Sequence, residues 1–183
     1  MMTNHRQFVE AVAREAGALL RERLYEHHTV QYKGEINLVT EADRLSEALI
    51  MRRIGLAFPG HDILTEESPE TANGSGFRWI IDPLDGTTNY AHGYPFFSVS
   101  IALEVDGVIS LGAVYNPMLD ELFAAEKGAG AFLNGGRLDV SGGRPVQWEA
   151  NIGSHRAPHC LDRVLLGANI PRASRRIVGI TLG

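Results

Sequence analysis

The chain has 183 residues, a formal net charge of −5, 44% hydrophobic residues and 21% charged ones. It is long enough for one substantial core and has the composition of a soluble globular protein, and no run of Lys or Arg exceeds two residues, which argues against binding a nucleic-acid polymer. No apolar run approaches the ~20 residues of a membrane span, no apolar segment follows a basic start at the N-terminus, so no signal peptide is expected, and the lone Cys160 excludes an internal disulfide and fits a reducing cytoplasm.

Residues 4–26 predict an amphipathic helix. Phe8, Val12, Ala16 and Leu19 share one face, Glu10, Arg14 and Arg21 the other, and Thr3 or Asn4 can cap it. His27 to Ile36 is polar and irregular, and Lys33-Gly34-Glu35 within it reads as a loop. A second helix is expected from Asn37 to about Ala57, buried through Leu45, Leu49, Ile50 and Leu56. Thr40 and Asp43 have capping-box spacing at its start, with Asp in place of Glu.

Phe58-Pro59-Gly60-His61 reads as a turn and Asp62–Thr65 as a short strand, with Glu66-Glu67-Ser68 at its end. Pro69 to Gly76 is a polar connection. Trp79-Ile80-Ile81 then reads as a short buried strand that breaks into the loop Asp82-Pro83-Leu84-Asp85-Gly86-Thr87-Thr88-Asn89. Asp82 and Asp85 stand three apart, with Pro83 stiffening the backbone between them. Oxygen-rich clusters of this kind select hard cations such as Mg²⁺. Gly86-Thr87-Thr88 can open a helical turn whose free N–H groups favour an anion. Plainer roles stand beside these: Asp85 as an N-cap and Asp82 as an ordinary turn residue.

His92 reads as a packing or rim residue. Phe97–Val105 and Val108–Tyr115 are strands joined by Asp106-Gly107, a hairpin signal. Asn116-Pro117 turns the chain into a strand at Glu121–Ala125, and Gly128, Gly130 and Asn134-Gly135-Gly136 break up the short strands that follow. Beyond Val140 the pattern weakens.

Taken whole, Trp79 to Asn89 resembles the W-x-I-D-P-[LI]-D-G-T-x-N motif of the inositol monophosphatase family, Mg²⁺-dependent, Li⁺-sensitive phosphatases of sugar and cyclitol phosphates. Asn37–Asp43 is similar to the family's N-L-V-T-x-A-D, Glu66-Glu67-Ser68 to its E-E-[ST], and Gly112–Pro117 and Gly128–Gly135 to two architectural patterns. The resemblance implies Mg²⁺, two or three ions in a complete site, held by Glu66, Asp82, the main-chain oxygen of Leu84, and Asp85. It implies that Glu66 and Thr87 orient a water, with Asp43 supporting Thr87, and that Asp85, Gly86 and Thr87 meet the substrate. Lys33, Glu35, Glu67 and Thr88 are second-rank candidates.

The implied fold is a layered α/β arrangement, two helices packed on a largely antiparallel sheet, as the N-terminal part of an αβαβα sandwich. Residues 1–140 would form the metal-binding portion and 141–183 the start of a second. Family members also carry a W-D-x-[AS]-[AG]-G motif whose Asp binds a second metal; this sequence has none, and Trp148-Glu149-Ala150 does not replace it. The sequence is then either an N-terminal portion of a longer protein or a natural short form with an altered site. The expectation is a phosphomonoester hydrolase, with a catalytically weak or silent truncated relative that binds metal, phosphate or a partner, or the same chemistry on fructose bisphosphate, histidinol phosphate or a nucleotide 3′-phosphate, as alternatives. The partners expected are a small phosphate ester and a second copy of the chain.

Overall fold

A computed structural model describes residues 5–27, 35–66 and 68–138. In chain order the elements are α1 (His5–His27), α2 (Glu35–Ala57), β1 (Asp62–Thr65), β2 (Phe77–Asp85), α3 (Thr87–Ala91), β3 (Ser98–Val105), β4 (Val108–Asn116), β5 (Glu121–Glu126), β6 (Gly130–Leu133) and β7 (Gly136–Leu138). The strands form one seven-stranded sheet in sequence order. β1 runs parallel to β2, and every later pairing is antiparallel.

Local chemistry accounts for this meander. Asp106 and Gly107 both take positive φ, 49° and 78°, as do Asn134 and Gly135 at 49° and 78°. Such pairs match the right-handed twist of the strands they join. The parallel β1–β2 pair needs a longer connection, and that connection returns along β1: Ile63 and Thr71 exchange two backbone hydrogen bonds of 2.9 Å.

Both long helices cover one face of the sheet, α1 against β3, β4 and β5 and α2 against β2. Val9, Val12, Ala13, Ala16 and Leu20 of α1 and Ile50 and Ile54 of α2 are buried against Trp79, Ile81, Val99, Ile101, Leu103 and Ala113. The opposite face carries a smaller cluster, in which Ile80, Ile109 and Ala125 pack on Ala102. Gly17 lets α1 sit close to the sheet, since a Cβ there would stand 2.5 Å from Tyr115 Cδ1. No described helix is long and apolar enough to cross a membrane.

Four expectations need correction. Leu56 is 73% exposed rather than buried, because Ile50 and Ile54 already fill the inward stripe of α2. α2 begins at Glu35, not Asn37, so Glu35 is helical and the Thr40–Asp43 pair lies inside the helix and cannot cap it. Arg14 is only partly on a solvent face, its side chain 38% exposed. It folds back over the Tyr115 ring, 5.0 Å from the centroid, and donates to Asp120 Oδ1 at 2.6 Å and Asn134 Oδ1 at 2.8 Å. Finally, Asp82 to Asp85 is not a loop. β2 continues through it, with a register shift between Asp82 and Asp85. Pro83 is tolerated there because a bulge interrupts the ladder bonds that proline cannot make. Lys33, Glu67 and everything beyond Leu138, including Cys160 and the expected second portion, lie outside the described residues.

Candidate metal and phosphate site

The end of β2 brings the acids together. Asp82 stands one residue past the buried Ile81, and Asp85 follows the bulge. Glu66 lies just past β1, the parallel neighbour of β2, with its side chain exposed. Asp43 reaches the same region from α2 and is 7% exposed.

Asp82 responds strongly to this crowding. Burial first, then the charges of Asp85, Glu66 and Asp43, raise its pKa well above the ordinary carboxylate value, partly offset by a hydrogen bond from the Leu84 N–H. Its Oδ1 is sealed from solvent and has no hydrogen-bond partner among the described residues. Ser100, its register partner on β3, has a buried hydroxyl in the same condition. Asp85 is the register partner of Ser98, whose hydroxyl donates to Asp85 Oδ2 over a long 3.4 Å.

Gly86 caps α3 in the left-handed region, φ 92°, with no side-chain cap bond, so Asp85 is not the N-cap. A Cβ on Gly86 would also stand 3.2 Å from the Phe96 carbonyl oxygen, so both conformation and space call for glycine. Thr87 and Thr88 follow, both exposed. α3 is anchored from behind by Tyr90, whose hydroxyl donates to the Leu20 carbonyl at 2.9 Å and whose ring meets Phe97 edge-on. His92 is exposed at the C-cap of the same helix.

Two residues of α2 were missed by sequence reasoning. Ser46 Oγ donates to the Pro83 carbonyl at 2.8 Å. Glu47 accepts from Thr65 Oγ1 at 2.8 Å and from Ser68 Oγ at 3.0 Å. Their places three and four residues after Asp43, hence on its helix face, are the signal that could have found them.

The donor set is all oxygen, it includes a buried carboxylate oxygen without a hydrogen bond, and its charges oppose one another. These features fit a hard cation. Among the described residues, no three acids or histidines are already drawn close enough to enclose an ion. Of these acids Glu66 is the most exposed.

The inositol monophosphatase family model matches residues 1–164. The chain belongs to the inositol monophosphatase family. Inositol monophosphatase 2 of Solanum lycopersicum is 44% identical over 135 residues, 70% of this chain and 51% of that protein. A histidinol-phosphatase of Chlorobaculum parvum is 43% identical over 142 residues, 76% of this chain and 54% of that one. The crystal structure of the extragenic suppressor protein suhB from Bartonella henselae superposes with a TM-score of 0.66 at 44% identity, covering 76% of this chain and 55% of that one. The chain thus spans about half the length of the curated relatives it matches.

Proposed function

We propose that this chain works as a Mg²⁺-dependent phosphomonoester hydrolase on a sugar or cyclitol phosphate. The observation that carries the reading is Asp82: a carboxylate with its pKa driven up by burial and three acidic neighbours, and with a sealed oxygen that lacks a hydrogen bond. Bringing these acids together is unfavourable unless protons or a cation offset their charge.

Glu66, Asp82, Asp85 and the main-chain oxygen of Leu84 would hold Mg²⁺. When bound, the ion would polarise the ester and lower the pKa of a water. Glu66 and Thr87 would orient that water, with Asp43 of α2 supporting Thr87. Asp85 and the N–H groups of Gly86 and Thr87 position the phosphate. Lys33, Glu35, Glu67 and Thr88 hold outer roles at most. The family resemblance extends the proposal to a cytoplasmic homodimer inhibited by Li⁺.

A second reading rests on the W-D-x-[AS]-[AG]-G motif that the given residues lack: a catalytically weak or silent relative that still binds metal, phosphate or a partner. A panel of esters separates the two. Inositol 1-phosphate, histidinol phosphate, fructose bisphosphate and a nucleotide 3′-phosphate would be incubated with the full chain, with Mg²⁺ and with chelator. Release from at least one ester that chelation stops is the expected result. A folded chain that binds Mg²⁺ but releases no phosphate from any of them leaves the silent relative. Release that ignores chelation would sink both.

A further inference from the structure

We propose that Glu47 is a positioning residue for metal uptake: it fixes the segment that carries Glu66. This role rests on the Mg²⁺ reading above.

Glu47 is 5% exposed, and the bonds to its carboxylate come from hydroxyl groups. Burying an acid is costly unless its oxygens are satisfied. Here each oxygen accepts one hydroxyl: Oε1 takes the Thr65 Oγ1 proton at 2.8 Å and Oε2 the Ser68 Oγ proton at 3.0 Å. Those hydroxyls flank Glu66, one before it and one beyond it. A single carboxylate therefore binds the residue before Glu66 and the second residue after it.

This bonding matters because of what else α2 holds. Asp43 lies one helical turn before Glu47. Ser46 binds the Pro83 carbonyl inside the bulge between Asp82 and Asp85. One helix is thus bonded to both acid-bearing segments and carries the fourth acid itself. Glu66 is exposed, so its backbone has to be held from behind. Fully satisfied buried networks of this kind rigidify the groups they join.

The test is Mg²⁺ titration calorimetry on the full chain, with circular dichroism and thermal unfolding on every variant. Outer partners of metal ligands typically change affinity about 10- to 100-fold when removed. Glu47→Ala, and Thr65→Val combined with Ser68→Ala, are each expected to raise the Mg²⁺ Kd by about that factor. Glu47→Gln, whose amide oxygen keeps one acceptor, should fall between. Glu41→Ala, exposed on the same helix, should change nothing. A merely structural Glu47 would lower the unfolding temperature and leave the Kd of the folded protein unmoved, and that result overturns the role. If Glu47→Ala does not fold, unchanged affinity in Glu47→Gln and in the Thr65/Ser68 variant overturns it equally. Absence of Mg²⁺ binding by the unaltered chain defeats the role together with the reading beneath it, which keeps the two failures distinct.

Discussion

The Ser46 hydroxyl donates to the Pro83 carbonyl at 2.8 Å, joining α2 to the bulge that separates Asp82 from Asp85. Ser46 is fully buried, so this bond is made away from water. Ser46→Ala removes it and leaves a buried acceptor weakened, at a cost of about 1–2 kcal/mol. Urea unfolding checks this; an unchanged midpoint would mean that the bulge holds its shape without the helix.

The packing of α1 on the sheet makes two glycines behave oppositely. A Cβ at Gly17 would stand 2.5 Å from Tyr115 Cδ1 and 3.2 Å from Pro117 Cβ, whereas nothing lies within 4 Å at Gly55. Gly17→Ala should destabilise by about 1–3 kcal/mol through overpacking. Gly55→Ala, near the end of α2, should stabilise by up to about 1 kcal/mol, as alanine is the better helix former. Thermal unfolding of the two variants side by side would show opposite shifts; equal shifts would contradict the close approach of α1 to β4.

A third prediction concerns acid. The Trp79 indole N–H donates to His61 Nδ1 at 3.1 Å, so His61 is neutral in this arrangement. Its ring stacks with Phe77 at 4.7 Å and Phe58 at 5.2 Å. Burial, then the nearby His5, lower its pKa from 6.5, against a smaller opposing effect of Asp62. A histidine with a depressed folded-state pKa leaves the unfolded chain binding more protons below pH 6.5. Its stabilising contribution is therefore complete above that pH and is lost as the pH falls through and below it. Unfolding midpoints between neutral pH and mild acid should drop, and His61→Gln, which keeps an acceptor for the indole without titrating there, should drop less. Parallel profiles for the two proteins would remove His61 as the cause.

Much of the fold is legible because its signals are local. Asp106-Gly107 and Asn134-Gly135 announce their hairpins through the φ values they alone adopt easily. Val12 and Ala16 mark the buried stripe of α1 by spacing alone. The central motif is legible because its members are contiguous. Where local rules misled, a tertiary contact prevailed. Pro83 reads as a strand breaker, yet the bulge admits it. Arg14 reads as a surface cation, yet it has partners 106 and 120 residues away. Ser46 and Glu47 share a helix face with Asp43, but their partners, 37, 18 and 21 residues away, are not legible from that spacing.

The most direct measurement is phosphate release from inositol 1-phosphate across a Mg²⁺ titration, for the unaltered chain and for Asp82→Asn. The substitution keeps the size of the side chain and removes the charge on which the site converges. The account predicts release that rises with Mg²⁺ and falls by about 100-fold or more in Asp82→Asn, at least as large as the loss of an outer partner. Release that persists in Asp82→Asn, or that is indifferent to Mg²⁺, would contradict it.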